Sequence, residues 1–223
     1  MQNKELIQEL FDAGSHIGYS RTRRHPSAKS FIVENRGRKD IINLETTVGQ
    51  LEKAFEFLKT LHETDGQVLF VGTKPEARRL VREAAELIEM PFVTERWVGG
   101  TLTNNKELRR RVDHLVDLQT KAEKGELVFQ TKKEKLMIER EIERLEKKFG
   151  GLKTLRRLPK ALFIVDPRKE HIAVTEALQM NIPIIAIANT DCNISILNYP
   201  IVANDTNISS ISLFTKKISN SLK

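Results

Sequence analysis

Two scarcities limit what this sequence can be. Only one cysteine occurs in 223 residues, so neither an internal disulfide nor a cysteine-rich zinc scaffold is available, and a reducing compartment is expected. The longest apolar runs, such as residues 161–165 and 182–188, have the length of a β-strand, whereas a membrane span needs about 20 apolar residues. The first five residues hold no apolar segment of the signal-peptide type, and none is expected. Hydrophobic residues make up 39% of the chain and charged residues 30%, which is typical of a soluble globular protein.

Positive charge is concentrated near the N-terminus. Residues 21–39 carry seven cations and one acid, whereas the other 204 residues carry 30 cations and 29 acids. Charge that serves only solubility does not need to be gathered in one segment, so a polyanion-binding site is predicted here, with a solvated basic loop as the alternative. The seven cations are Arg21, Arg23, Arg24, Lys29, Arg36, Arg38 and Lys39.

The same segment is predicted to form a β-hairpin. Apolar residues at 31–33 and 41–44 flank a polar stretch at 34–37, which is typical of two strands joined by a turn. The tip of the hairpin would carry Arg36 and Arg38. One helix is predicted before the hairpin, over residues 4–13, and another after it, following Thr46.

Short apolar strands alternate with amphipathic helices in the rest of the chain. Strands are predicted at residues 67–71, 91–93, 161–165, 184–188 and 201–202. Helices are predicted at residues 75–89, 171–180 and 208–219. Strands of this kind in alternation with helices indicate an α/β protein with a parallel sheet covered on both faces.

Residues 106–149 interrupt this alternation. Of these 44 residues 23 are charged, and a narrow apolar seam runs through both halves, which Gly125 and a bend at residues 127–129 separate. An antiparallel helical hairpin with a solvated surface is therefore predicted. The seam consists of Leu108, Val112, Leu115, Leu118, Leu136, Ile142, Leu145 and Phe149.

The turn Gly72-Thr73-Lys74, after the strand at residues 67–71, could hold a phosphate through its backbone N–H groups. It lacks the glycine spacing of both common nucleotide-binding loops. Pro75 and Glu76 fit ordinary helix initiation, with Lys74 expected at the surface, where its loss would matter little. This turn nevertheless supplies the rival hypothesis, a nucleotide- or phosphometabolite-binding α/β enzyme that also uses Asp166.

Asp166 follows the strand at residues 161–165, the place where α/β enzymes bind ligands. Neither a second histidine nor a paired carboxylate stands near Asp166 and His171 in the sequence. Capping of the next helix by Asp166 is therefore favoured over catalysis. Basic residues on both sides of the strand give a candidate secondary basic patch, composed of Arg156, Arg157, Arg168 and Lys169.

Residues 96–106 join the sheet to the helical hairpin and hold the only tryptophan, Trp97, and the glycine pair Gly99-Gly100. A structural joint and an RNA-facing loop both fit this composition. We expect the Trp97 ring to be buried against the sheet, because an exposed ring forgoes about 25 cal/mol per Å² of apolar area. The polar residues expected to face outward are Thr101, Thr103, Asn104, Asn105 and Lys106.

Seven segments of the chain match one known family in order. The two most specific are Trp-Val-Gly-Gly-Thr-Leu-Thr-Asn at residues 97–104 and Asp-Pro-Arg-Lys-Glu-His-Ile-Ala at residues 166–173. The others are residues 13–18, 23–26, 41–44, 69–74 and 158–163. Over nearly its whole length the chain resembles small-subunit ribosomal protein S2 of the bacterial or organellar type.

This resemblance implies a flavodoxin-like α/β fold with an inserted coiled-coil hairpin, no enzymatic activity, no cofactor and no metal. It implies a structural role in translation on a cytoplasmic or organellar ribosome, with small-subunit rRNA and neighbouring ribosomal proteins as partners, including the large mRNA-binding one. Neither a membrane nor a small-molecule substrate is expected as a partner. The expected units are a helix and basic arm over residues 1–45, a sheet domain over 46–103 and 154–223, and the hairpin over 104–153.

The rRNA-binding residues expected from the basic arm and from the joint before the hairpin are Arg21, Arg23, Arg24, His25, Lys29, Arg36, Arg38, Lys39, Thr103, Asn104, Asn105 and Lys106.

The chain departs from the family pattern at several positions. Tyr19 stands where the family has a second histidine, and residues 24–26 replace its Trp-Asn-Pro. Residues 189–191 read Asn-Thr-Asp in place of Asp-Thr-Asn, and residues 206–207 read Thr-Asn in place of Asp-Ala. A metal ion held by the family's histidine or carboxylates is therefore not predicted in this chain.

Overall fold

The computed structural model describes residues 2–64, 66–127 and 131–222. The predicted bend at Val128 and Phe129 lies outside these residues. The helices are α1 (Gln2–Asp12), α2 (Leu44–Glu63), α3 (Pro75–Glu86), α4 (Asn105–Glu123), α5 (Lys132–Phe149), α6 (His171–Gln179) and α7 (Ile208–Asn220). The strands are β1 (Ile17–Ser20), β2 (Ile32–Arg36), β3 (Lys39–Ile42), β4 (Val68–Val71), β5 (Phe92–Val93), β6 (Ala161–Val165), β7 (Ile184–Ala188) and β8 (Tyr199–Val202). Within the described ranges, no helix is both long and apolar enough to cross a membrane.

Five strands form the main sheet, in the order β5-β4-β6-β7-β8, and all its neighbours are parallel. Counted along the chain from β4, this is the order 2-1-3-4-5, which is the flavodoxin-like arrangement. The order reverses between β4 and β6, and proteins of this topology bind ligands in the crevice outside the carboxyl ends of the strands at such a point. The predicted α/β fold is therefore confirmed.

The central strands are buried on both faces, so every side chain in them is apolar. Phe70 and Phe163 point to one face, where their rings meet edge to face at 5.2 Å between centroids. That face packs against α2, α3 and α7, and α1 packs on α2. Leu69 and Leu162 point to the opposite face, which is covered by α6 and by the base of the α4–α5 hairpin. The inserted hairpin thus completes one layer of the core.

The α4–α5 hairpin is anchored at its base and solvated at its far end. Leu115, Leu145 and Phe149 are buried in the core of the second face. Leu136, predicted on the apolar seam, is instead 47% exposed. The helices are held by a hydrogen bond of 2.8 Å from Gln119 Nε2 to Glu146 Oε2. Because apolar contact is confined to the base, most of the hairpin's hydrophobic stabilisation comes from there.

The N-terminal arm contains a second, three-stranded antiparallel sheet, in the order β1-β3-β2. The hairpin β2–β3 was predicted, but β1 was not, because it is only four residues long and its pairing partner β3 lies about 20 residues away in the sequence. Helix α2 begins at Leu44, before the predicted start, because the Asn43 side chain caps it by accepting from the N–H of Glu45 at 2.9 Å.

Gly18 in β1 gives a test of how the arm packs on the main domain. A Cβ at this position would lie 2.7 Å from Thr190 Cγ2 and 3.1 Å from the Asp40 carbonyl oxygen. We expect Gly18→Ala to lower the free energy of unfolding by about 1–3 kcal/mol through overpacking, as measured by urea denaturation. Gly49→Ala in α2 is the matched control, because its Cβ would meet nothing within 4 Å. This change should stabilise the helix by about 0.5–1 kcal/mol. Equal effects at the two positions would contradict the packing described for Gly18.

Candidate nucleic-acid interface

The tip of the β2–β3 hairpin presents a group of cations to solvent. Arg36 and Lys39 face each other across the ladder, and Gly37 and Arg38 form the two-residue turn between them. Gly37 has φ 56° and Arg38 φ 73°, and hairpin turns of the primed type use this left-handed backbone at both central positions. All four residues are exposed. The turn therefore fixes three positive side chains at the outermost point of the arm.

Two arginines of the arm are instead bound to carboxylates of the protein. Arg24 donates two hydrogen bonds to the fully buried Asp40, one of them from Nε to Oδ2 at 2.7 Å. This contact holds the pKa of the Asp40 carboxyl below its usual range. Arg23 lies over the Tyr19 ring at 4.1 Å and reaches Asp191 at 3.2 Å. Arg24 in particular is occupied in holding the arm together.

His25 has a local structural contact. Its Nδ1 accepts from the N–H of Ser27 at 3.2 Å and caps the short 3₁₀ turn Pro26–Phe31. The backbone N–H of His25 donates to the Thr190 carbonyl at 2.8 Å. His25 is half-buried as a residue, so it is only partly available for a contact with RNA.

The remaining cations of the arm are exposed. Within the described residues, no ion pair engages Lys29, Arg36, Arg38 or Lys39. Arg21 is also exposed, and its charge contributes to lowering the pKa of Asp40. The structure therefore separates the predicted basic site into cations that hold the fold and cations that face solvent.

The carboxyl ends of the main strands meet at Lys74. Its Nζ lies 2.9 Å from Asp166 Oδ2 and 2.9 Å from Asp205 Oδ2, and its side chain is only 12% exposed. Burial alone would lower the pKa of Lys74, but the two carboxylates outweigh it and raise the pKa above its usual value. The expectation of a surface lysine was therefore wrong: the Lys74 side chain is mostly buried, and two aspartates from distant loops face it.

The backbone of the same turn is also occupied. Both the N–H and the hydroxyl of Thr73 donate to Glu170 Oε1, the first at 3.1 Å. Asp166 Oδ1 accepts from the N–H of Lys169 at 3.0 Å, so it caps the turn before α6, whereas the N-cap position of α6 is Glu170. The N–H and hydroxyl of Thr73 and the ammonium group of Lys74, which could have held a nucleotide phosphate, are thus paired with the protein's own carboxylates.

The basic arm covers this edge of the sheet. The N–H of Tyr19 donates to Thr190 Oγ1 at 3.0 Å, and the N–H of Asn204 donates to the Ser15 carbonyl at 3.0 Å. Asn189 Nδ2 donates to Asp205 Oδ1 at 2.8 Å and continues the network below the arm. The fold and this edge together define a flavodoxin-like protein whose ligand crevice is closed by its own residues.

Trp97 is 5% exposed and packs in the core of the second face, as predicted. Its indole Nε1 donates to Glu176 Oε1 at 3.0 Å. The same buried carboxylate accepts from the N–H groups of Gly100, Leu102 and Thr103, at 2.8, 2.9 and 3.2 Å. Burial would raise the pKa of Glu176, but the hydrogen bond from Trp97 and those from the loop outweigh it and lower the pKa.

Glu176 was not identified from the sequence. The available signal was a carboxylate beside Ala177 on the apolar face of α6, which also carries Ala173 and Val174. Thr101, predicted to face outward, is buried, and its hydroxyl donates to the Val98 carbonyl at 2.6 Å.

Residues 103, 104 and 106 are exposed and residue 105 is half-buried. Among the described residues, no hydrogen bond or ion pair links residues 103–106 to the basic arm. The two groups of predicted RNA contacts are therefore not joined by direct polar contacts.

The candidate secondary basic patch is divided by the structure. Arg156 and Arg157 precede β6, whereas Arg168 and Lys169 follow it, so the two pairs lie at opposite ends of that strand. Arg168 binds Asp191 at 2.6 Å. Within the ranges described, no group of three or more His, Cys, Asp or Glu side chains is placed to hold a metal ion.

Comparison with known proteins identifies the family. The family model of ribosomal protein S2 matches residues 10–223. The small ribosomal subunit protein uS2 of Mycobacteroides abscessus is 40% identical over 97% of this chain and 78% of its own length. The proteins of the same name from Mycobacterium sp. (strain KMS) and Mycolicibacterium vanbaalenii are each 39% identical over 97% of this chain, and 76% and 79% of their lengths are covered.

The chain belongs to the ribosomal protein S2 family. This membership confirms the predicted family, and it confirms the expectation of a structural protein rather than an enzyme. The rival hypothesis of a nucleotide-binding enzyme is set aside, in agreement with the closed crevice at Lys74.

The crevice gives a prediction about pH. One lysine faces two carboxylates, and burial together with the charge of Asp166 raises the pKa of Asp205 to about 6, against about 3.9 in an unfolded chain. Protonation of Asp205 therefore favours the folded state, and this contribution is complete below about pH 4 and lost as the pH rises through about 6. Asp205→Asn should carry a pH-independent cost instead. We expect the unfolding free energy of the wild type, relative to Asp205→Asn, to fall between pH 4 and pH 7 in urea titrations; a constant difference would contradict this assignment.

A second prediction concerns the loop before α4. Glu176→Ala removes the acceptor of four N–H groups and should lower the unfolding free energy by at least about 3 kcal/mol, because each buried unpaired donor costs about 1–3 kcal/mol. The emission of the single tryptophan should shift to the red and become accessible to quencher. Glu52→Ala, at an exposed position of α2, is the control and should change neither quantity. A blue, protected emission in Glu176→Ala would show that the loop does not depend on the carboxylate.

Proposed function

We propose that this protein is a structural rRNA-binding component of the small ribosomal subunit, and that it binds RNA chiefly through the tip of its basic arm. Membership in the ribosomal protein S2 family supports the assignment to that subunit. The observation that carries the site is the solvent-facing group of Arg36, Arg38 and Lys39, which has no ion pair among the described residues. Such cations remain available for phosphates, whose neutralisation releases counterions.

The other predicted contact residues differ in how far they are available to RNA. Arg21 is exposed next to the tip, since Ser20 pairs with Lys39. Lys29 is exposed near the opposite end of β2, and both cations extend the phosphate-binding surface. Arg24 stabilises the arm and is not counted as a phosphate contact, because its guanidinium group is paired with Asp40. The exposed residues of the 103–106 run offer hydroxyl, amide and ammonium groups for a separate rRNA contact, held in place by Glu176.

The finer partner assignment is part of the proposal. Association with neighbouring ribosomal proteins follows from the family, and docking of the large mRNA-binding protein follows from the resemblance of the sequence. Three apolar side chains around α6 are open to solvent and suit a protein contact: Ile172, Leu178 and Ile196 are 45%, 42% and 40% exposed. We also propose the division into the arm (1–45), the sheet domain (46–103 and 154–223) and the hairpin (104–153), although the base of the hairpin shares the core of the sheet.

The arm is tested by removing its charge while preserving its shape. Arg36→Gln, Arg38→Gln and Lys39→Gln in one variant keep long side chains and leave Asp40 paired. The slope of log affinity for small-subunit rRNA against log salt should fall by up to about three, about one for each phosphate that is no longer neutralised. Filter binding over a salt series measures the slope, and co-sedimentation with small subunits in high salt measures retention.

A matched control removes the same charge elsewhere. Lys53→Gln, Lys59→Gln and Lys216→Gln change three exposed lysines on α2 and α7. This variant should keep the salt slope of the wild type, since only contacting cations release counterions in this way. Equal reductions in both variants would mean that net charge, and not the arm, governs binding. An unchanged slope in the arm variant would place the RNA site elsewhere.

A further inference from the structure

A groove of about 930 Å³ lies at the amino ends of β4 and β6, away from the basic arm. One wall is the segment that returns the chain from α5 to β6, residues 150–160, and the other is the end of α3 with the turn into β5. The first wall carries Lys153, Arg156, Arg157 and Lys160. The second carries the exposed acids Glu86 and Glu89.

The cationic wall is held rigidly by one amide side chain. Gln67 Nε2 donates to the Thr154 carbonyl at 2.9 Å, and Gln67 Oε1 accepts from the N–H of Arg156 at 3.2 Å. The N–H of Lys160 donates to the Gln67 carbonyl at 2.8 Å. Leu155 and Pro159 are buried and fix the segment from below. A segment whose backbone is already ordered loses little conformational entropy when its side chains bind a ligand.

Gly151 brings this wall against the sheet edge. A Cβ at Gly151 would collide with the carbonyl oxygen and the ring of Phe92, so the backbone there approaches β5 more closely than any other residue would allow. Arg109 of α4 donates to the Leu155 carbonyl from the hairpin side. The wall is thus tied to the sheet and to α4, and it has a fixed orientation toward the groove.

Three cations of this wall are open to a ligand. Arg156, Arg157 and Lys160 are exposed, and within the described residues none of them has an ion pair. Lys153 is occupied by Glu146 at 2.6 Å. Glu86 and Glu89 would repel an anion from the opposite wall, so an anionic ligand would lie along residues 156–160. The guanidinium groups of two adjacent arginines suit phosphate oxygens because each presents a planar set of donors.

We infer that this groove is a second rRNA site, where Arg156, Arg157 and Lys160 hold the sugar–phosphate backbone of a segment other than the one bound by the arm. The inference rests on the proposed function, which brings rRNA to the protein. RNA is favoured over an acidic protein segment because three free cations project into the groove, whereas Ile88 and Phe92 are partly buried and, of its described apolar side chains, only Leu158, at 40%, is exposed. The five residues of β6 separate this site from the carboxyl edge by roughly 16 Å, at about 3.3 Å per residue.

The two sites are distinguished by tethered cleavage in small subunits assembled with the full chain. Arg157→Cys and Arg38→Cys each receive an iron chelate that generates hydroxyl radicals, and the cut rRNA positions are mapped. The native Cys192 is 1% exposed, and burial raises the pKa of its thiol, so the unsubstituted protein serves as the uncut control. We expect both tethers to cut rRNA, at different nucleotides.

Cutting from position 38 without cutting from position 157 would overturn the inference and leave the proposed function standing. If position 157 proves to contact a ribosomal protein and no rRNA, the inference is overturned and the proposed function stands. No cutting from either position would overturn the proposed function, and the inference with it.

A binding measurement tests the same groove without a tether. Arg156→Gln, Arg157→Gln and Lys160→Gln together should lower the salt slope for small-subunit rRNA by up to about three, in addition to the reduction caused by the arm variant. The variant with Lys53, Lys59 and Lys216 replaced by glutamine again serves as the control. An unchanged slope in the groove variant, or a reduction that the arm variant already accounts for, would overturn the second site.

Discussion

The rest of the structure depends on one ammonium group, that of Lys74, which links the loops at the carboxyl edge of the main sheet. Lys74 follows β4, and its partners Asp166 and Asp205 follow β6 and β8. Asn189, after β7, joins through Asp205. Four strand ends are therefore cross-linked at the place where this fold elsewhere admits a ligand. Removing the Lys74 ammonium group would leave the carboxylates of Asp166 and Asp205 without their counter-charge, which is the costly situation for a protein interior. The place where this fold elsewhere binds a ligand is therefore occupied by the protein's own side chains.

The same edge explains why only part of the basic arm faces solvent. The arm lies across β7 and β8 through backbone hydrogen bonds to Thr190 and Asn204, so its inner arginines come within reach of acids from the sheet. Arg24 meets Asp40 within the arm, and Arg23 meets Asp191 from the loop after β7. The hairpin turn carries the outer cations beyond these acids. The cations at the tip are thus free of ion pairs among the described residues, whereas Arg23 and Arg24 are paired with the protein's own acids.

The inserted hairpin is joined to the protein by a second internal clamp. Glu176 on α6 gathers the loop that carries Trp97, so the chain leaves the sheet and enters α4 along one defined path. The base of the hairpin then fills the second face of the sheet with Leu115 and Phe149. Since the loop between β5 and α4 is rigid at both ends, its polar residues are presented in a fixed geometry. A loop held in this way does not lose conformational entropy again when it meets a partner.

The sequence by itself determined the α/β class, most of the strands and helices, the tip of the basic hairpin and the family, because apolar periodicity, local charge and short motifs are properties of neighbouring residues. It also indicated that Trp97 would be buried. Only the tertiary structure decided which cations remain free, that the Lys74 side chain is mostly buried, and that Glu176 holds the loop. Each of these depends on residues that are far apart in the chain, such as Lys74 and Asp205, and pairing between distant loops leaves no local pattern from which it could be predicted.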